Sequence, residues 1–164
     1  MEIRRVVTGY DDARRPAVLS DGPAPASVEL PPAVGAALVD LWRSASLPLG
    51  TTGTDDPTTG AFELMPAGCL FRIIELEPGH HDPLWHTTAT VDFVYVASGE
   101  VTVRYGDATE PDGQVVLHAG DTVVQRGLPH AWVNDGPAPC RLVNVSVAAT
   151  LPPGVAPDVP GRAG

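Results

Sequence analysis

Apolar residues along this chain recur mostly at alternate positions in short runs, the two-residue period of half-buried β-strands. From Cys69 onward the alternation is regular. It predicts strands over Cys69 to Leu76, Val91 to Ala97, Val101 to Tyr105, Val115 to His118, Thr122 to Gln125, His130 to Val133 and Arg141 to Ala148. Turn residues separate these runs at Pro78-Gly79, Ser98-Gly99, Pro111-Asp112-Gly113, Gly120-Asp121, Arg126-Gly127 and Asp135-Gly136-Pro137. Short strands at this spacing predict a small all-β sandwich or barrel with antiparallel pairing.

The first third is less regular. Ile3 to Thr8 and Ala17 to Ser20 predict an N-terminal hairpin whose second strand stops at the turn dipeptide Asp21-Gly22. Pro23 to Pro32 predicts an extended surface connection without a regular ladder. Ala33 to Ser46 fits two patterns: Val34, Ala37, Leu38 and Leu41 follow a helical stripe, while Leu38 to Trp42 also reads as a strand. Gly50 to Gly60 lacks an apolar anchor and predicts a mobile loop or lid able to cover a pocket mouth. The tail, Leu151 to Gly164, has four prolines and three glycines and predicts an extended or disordered arm.

Composition narrows this to one domain, because 164 residues suffice for a single core and hardly for two. The expected division is a domain over residues 1–150 and an arm over 151–164. The 18 prolines and 17 glycines, scattered without a repeat, favour tight turns over a helical bundle. A formal net charge of −10 with no basic cluster argues against nucleic acid and anionic membranes as partners. No apolar run approaches a membrane span and Met-Glu-Ile-Arg-Arg opens no apolar leader, so a cytoplasmic location is expected. Cys69 and Cys140 are read as reduced thiols beside apolar segments.

Metal-capable and titratable side chains meet strand spacing between Gly79 and Asn134. His86, Thr88, Thr90, Asp92, Val94 and Val96 share one parity, a face polar at one end and apolar at the other, as suits a barrel mouth. His130 and Trp132 share a face on a later strand, where His130 can come opposite His86 and Asp92. Two imidazoles and one carboxylate would make a facial ligand set for iron, zinc, manganese or nickel. The same residues would equally make a metal-free pocket with histidines hydrogen-bonded to Asp92 and Thr88. Trp85 and Trp132 are read as core or pocket wall, with Thr88, Thr90 and Val94 lining the pocket. Arg126 is a surface residue unless it turns inward to clamp a carboxylate. His80, His81, Asp82, Glu100 and His118 are read as exposed. No Gly-x-Ser-x-Gly occurs, which leaves Ser98 and Ser146 without the setting of a nucleophile.

These motifs resemble the cupin superfamily. Its first motif is matched by Gly79, His86-Thr87-Thr88, Asp92 and Gly99, and its second by Gly120-Asp121, Gln125-Arg126-Gly127, His130 and Asn134. Thr88 stands where the family has its second histidine, Asp92 where it has glutamate, and Gln125 where proline is usual in a second motif one residue shorter. Arg-Arg-Val-Val-Thr-Gly, Leu-Ser-Asp-Gly and Leu-Trp-Arg-Ser extend the resemblance to small single-domain cupins over most of the chain up to about Ala148. The resemblance implies a jelly-roll barrel, or double-stranded β-helix, over about 68–148 with extra N-terminal strands, and makes Leu38 to Ser44 one of them. It also implies a homodimer paired through edge strands, and fungal relatives among polyketide-biosynthesis enzymes that carry an oxidoreductase label.

The expectation is therefore a small cupin enzyme of oxidoreductase, cyclase or dehydratase type, acting on a hydrophobic, aromatic or polyketide-like molecule. His86, His130 and Asp92 would either hold one divalent metal or work directly as general acid and base. The alternative is a metal-free cupin that binds or senses a small molecule without catalysis.

Overall fold

The computed structural model describes residues 1–51, 53–59, 68–79 and 83–159, and in them the alternating pattern becomes strands without a helix. The strands are β1 (Arg4–Tyr10), β2 (Pro16–Pro23), β3 (Ala26–Glu29), β4 (Ala36–Ser44), β5 (Cys69–Leu76), β6 (Thr90–Ser98), β7 (Glu100–Gly106), β8 (Pro111–His118), β9 (Thr122–Arg126), β10 (His130–Val133) and β11 (Cys140–Ala148). One sheet runs β3-β4-β5-β11-β6-β9, a second runs β10-β7-β8, and β1 pairs with β2 as a separate hairpin. No helix among the described residues is long and apolar enough to cross a membrane.

The two larger sheets close a jelly-roll on one core. Ala36, Leu76, Val94, Val96, Cys140 and Leu142 come from the six-stranded sheet, and Val101, Val103 and Leu117 from the three-stranded one. Inward positions fall in transverse rows because side chains two apart share a face and cross-strand partners stand side by side. Val96, Leu142, Ile74, Leu38 and Val28 form an apolar row. The next runs Val123, Val94, Asn144, Arg72, Asp40 and Ala26, and the next Gln125, Asp92, Ser146 and Leu70. The barrel is thus greasy at one end and polar at the other.

Helix and strand competed over Ala33 to Ser46, and strand wins. β4 is paired on both edges by β3 and β5, and none of its nine positions is exposed, so both of its faces are covered and a continuous apolar run is what burial there demands. Two turn predictions moved. Asp21-Gly22 does not end β2: Arg4 on β1 donates to both Asp21 oxygens at 2.8 Å, which makes Asp21 a cross-strand partner. The turn of that hairpin lies at Asp11 to Arg15, overlapping the expected break at Gly9 to Asp12, and there the Asp11 carboxylate accepts from the Arg15 backbone and guanidinium. Pro111-Asp112-Gly113 is the start of β8 rather than a turn, since an added Cβ at Gly113 would stand 2.5 Å from the Tyr105 hydroxyl; that glycine serves close packing. Pro23 to Pro32, expected to stay outside the ladder, contains β3, whose four residues pair along β4 at a sheet edge between flanking prolines. Gly99 fits its turn prediction: its φ is 77°, and an added Cβ would meet the Pro139 oxygen at 2.7 Å and Cys140 Cα at 2.8 Å.

Residues 53–59 of the expected mobile lid are held by polar contacts, which an inspection for apolar anchors does not register. Arg5 pairs with Asp56 and donates to Thr58 Oγ1 at 2.9 Å, and Arg43 donates to the Pro57 carbonyl at 2.7 Å. This segment lies with the N-terminal hairpin, away from the barrel cavity. The arm from Leu151 also docks. Thr87 and Asp158 exchange backbone hydrogen bonds of 2.7 and 2.9 Å, which brings the arm back beside His86.

Candidate functional site

The polar end of the barrel contains a cavity with about 840 Å³ of unfilled space, part of it open to solvent. His86, Thr88, Asp92, Gln125, Asn144 and Ser146 line its polar side; Val34, Leu38, Ile74, Leu84, Val94 and Trp132 give it an apolar wall, and Val159 of the arm joins them. His86, Asp92 and His130 are thus brought to one cavity, together with Thr88, Val94 and Trp132. Trp85, Thr90 and Arg126 do not line it. Gln125 points inward on β9 beside Asp92, so the neighbouring Arg126 takes the opposite face and is exposed. Thr90 lies behind the surface, bonded to Thr88 and Asp92, and Trp85 is half-buried on the segment before His86. His118 Nε2 lies 3.3 Å from the Glu100 carboxylate on the outside, and His80, His81 and Asp82 fall outside the described residues.

The two histidines are built alike. Each donates from Nδ1 to the carbonyl two residues earlier, His86 to Leu84 and His130 to Leu128, both at 2.9 Å. A carbonyl only accepts, so each neutral ring carries its proton on Nδ1 and a lone pair on Nε2. The backbone of the two residues is doubly bonded, His86 to His130, with both N···O distances 3.0 Å, and the ring centroids lie 4.1 Å apart. They differ in what Nε2 meets. The Gln125 amide nitrogen lies 2.7 Å from His130 Nε2 and 3.0 Å from Nδ1; because Nδ1 already donates to Leu128, the bond is to Nε2. His86 Nε2 has no hydrogen-bond partner among the described residues.

Burial governs the electrostatics. It pushes the His86 imidazole below its ordinary value, with the Leu84 bond and the Asp92 charge opposing. His130 is pushed down to about 3 by burial and by the neighbouring His86. The Asp92 carboxyl is raised by burial, against hydrogen bonds from Ser146, Thr90 and Gln125 and the charge of His86. Thr90 Oγ1 lies 2.7 Å from Thr88 Oγ1 and 3.0 Å from Asp92 Oδ1, so two threonine hydroxyls and the carboxyl form one chain from cavity surface to interior.

A mononuclear metal needs several such donors converging on one point with free lone pairs. Among the described residues no three His, Cys, Asp or Glu side chains are grouped closely enough to hold one. His130 Nε2 is taken by Gln125, and the Thr88 hydroxyl is engaged by Thr90. As arranged, the donor set does not fit a metal centre.

Gln125, Asn144, Ser146 and Arg72 were missed as site residues. Their signal was present: Asn144 and Ser146 hold the inward parity of β11 with Cys140 and Leu142, and polar residues on an apolar parity mark a pocket.

Residues 72–146, a little under half of the chain, match the family described as Cupin domain. Its curated relatives include Oryzines biosynthesis cluster protein J of Aspergillus oryzae, 37% identical over 71 residues that are 43% of this chain and 37% of that protein. Phomopsin biosynthesis cluster protein D of Diaporthe leptostromiformis is 35% identical over 71 residues, 43% of this chain and 34% of that one. The matches therefore span little more than a third of the relatives' own length. Among solved structures, FeII HppE superposes with a TM-score of 0.50 at 17% identity, covering 68% of this chain and 50% of that one, a likeness of fold.

Proposed function

We propose that this chain is a biosynthetic cupin that transforms an apolar small molecule by proton transfer, with His86 as the base. The observation that carries this is the lone pair of His86 Nε2: its tautomer is set by the Leu84 carbonyl, the ring lines the cavity, and among the described residues the nitrogen has no partner. A substrate O–H, N–H or activated C–H placed there would lose its proton to Nε2, the bonding pair remaining on the substrate. The imidazolium so formed is stabilised by the Asp92 carboxylate, whose charge already opposes the burial effect on His86. The apolar wall excludes water and orients the substrate body. His130 has a different task, since Gln125 occupies its basic nitrogen; it braces the His86 backbone. The cluster names of the two fungal relatives support a place in secondary metabolism.

The test is incubation of the purified protein with extracts of the producing cell, followed by mass spectrometry. A product formed by wild type should fall about a hundredfold or more in His86→Ala, the usual scale for losing a general base, and be preserved in Arg126→Ala. Equal turnover in His86→Ala would remove the proposal, and binding without any product would leave a sensing cupin. A second reading keeps the divalent metal, held by His86, Asp92 and His130 after Gln125 releases His130; the shared presentation of both Nε2 atoms favours it. Stoichiometric metal in protein purified without chelator, absent from His86→Ala, would establish that reading instead.

We also propose that two copies pair through the outer face of the six-stranded sheet. Trp42, Phe71, Val145, Phe93 and Val124 form a cross-strand row there, with Phe93 50% and Val124 59% exposed. Such a contiguous apolar band on a surface marks an interface. Light scattering should give twice the 17.1 kDa chain mass, and Phe93→Ser with Val124→Ser should return a monomer. A wild-type monomer would refute the pairing.

A further inference from the structure

Two buried oxygens, on residues that line the cavity, have no hydrogen-bond partner among the described residues: Gln125 Oε1 and Asn144 Oδ1. Their residues are 4% and 9% exposed. Buried polar atoms are nearly always paired, so orphans lining a cavity mark where a ligand binds. Both amides have a fixed orientation. His130 keeps its proton on Nδ1 for Leu128, so Nε2 can only accept; Gln125 must present its NH₂ there and turn Oε1 away. Asn144 donates from Nδ2 to Ser146 Oγ at 3.0 Å. Ser146, the register partner of Asp92, gives its hydroxyl proton to that carboxyl, so its oxygen must accept from Asn144 and Oδ1 is left over.

The uncommitted atoms are therefore acceptors, and His86 Nε2 is a third. Arg72 also lines the cavity, but its Nε is paired with Asp40 at 2.5 Å. A carboxylate or phosphate in this space would face lone pairs and the Asp92 carboxyl. An N–H group would face partners.

We propose that the cavity selects an apolar molecule whose head group carries N–H donors, an amide or an amine, seated against Gln125 Oε1 and Asn144 Oδ1, and that it rejects carboxylates. This rests on the proposed small-molecule site and narrows its substrate class. The apolar wall of Leu38, Ile74, Val94 and Trp132 takes the body of the ligand, and the two amide oxygens fix its head near His86.

The test is calorimetric titration of the whole protein with four compounds of one body: 3-phenylpropionamide, 3-phenylpropylamine, 3-phenylpropionate and methyl 3-phenylpropionate. The amide and the amine should bind about tenfold or more tighter than the ester and the acid, the scale set by leaving a buried acceptor unpaired. In Asn144→Leu the preference of amide over ester should shrink about tenfold while ester affinity holds or rises. Amide and amine arms separate a neutral donor from a cation. Equal or tighter binding of the acid or ester to wild type overturns the donor selectivity and leaves the small-molecule site standing. An amide preference unchanged in Asn144→Leu overturns the assignment to Asn144. Binding of none of the four, even at millimolar concentration, overturns the selectivity and the small-molecule site together.

Discussion

Asp40→Ala is expected to lower the melting temperature by roughly 6–20 °C. Asp40 is 0% exposed and Arg72 3% exposed, and they are register partners on β4 and β5 with Nε and Oδ1 2.5 Å apart. Removing one partner of a buried ion pair takes away a large part of the other charge's compensation in low dielectric, at a cost of about 3–5 kcal/mol. For a domain of this length each kcal/mol moves the midpoint by roughly 2–4 °C. The poorer compensation of the remaining buried charge, rather than the lost attraction itself, is the dominant cost. Asp40→Leu combined with Arg72→Met should therefore recover most of the loss, since both charges are then gone and the row between Ala26 and Asn144 becomes apolar. A thermal melt of the three proteins checks this. An Asp40→Ala midpoint within about 2 °C of wild type, the shift of a negligible surface pair, would show that the guanidinium finds full compensation elsewhere.

The same pair shows what a sequence pattern does and does not carry. Strand positions from Cys69 onward were legible because one face of each strand is buried, so alternation is imposed on every residue. β5 and β10 have the predicted bounds. The rows across the sheet were not legible, because they depend on which strands are neighbours. Asn144 sits between Arg72 and Val94 only because β11 lies between β5 and β6, an order that no local spacing encodes. His86, Asp92 and His130 could be named from residue type and parity, and all three line the cavity. The engagement of His130 by Gln125 was not legible, because it depends on how β9 and β10 sit across the cavity. Gln125 stood in plain view at the position where the cupin motif usually has proline, and the absence of proline is what lets a hydrogen-bonding side chain face His130. The docking of the extended arm was not legible for a related reason. Its prolines forbid a regular ladder but not the single bridge from Asp158 to Thr87.

Acidification should destabilise the protein steeply between pH 6.5 and about pH 4, chiefly through His130. Its folded value is about 3, depressed from 6.5, so the unfolded chain takes up this proton first as pH falls. Stability from this group is complete above 6.5 and is lost progressively as pH drops toward 3. At 1.36 kcal/mol per unit, the loss by pH 4 is on the order of 3 kcal/mol. His86 is shifted in the same direction and adds to it. Asp92 works the other way: its raised folded value favours the protonated carboxyl, so its contribution is present at low pH and lost as pH rises. The larger shift of His130 decides the net sign. Asp56 is held near 2 by Arg5, so its stabilisation disappears only below its ordinary 3.8, beneath this window. The window therefore leaves out Asp56 and is dominated by the histidines. His130→Asn, which keeps a donor for the Leu128 carbonyl, should be less stable at neutral pH yet show a clearly shallower fall in melting temperature from pH 6.5 to about pH 4. An unchanged slope in that variant would mean that His130 is already charged in the folded protein, which its bond from the Gln125 amide would not tolerate.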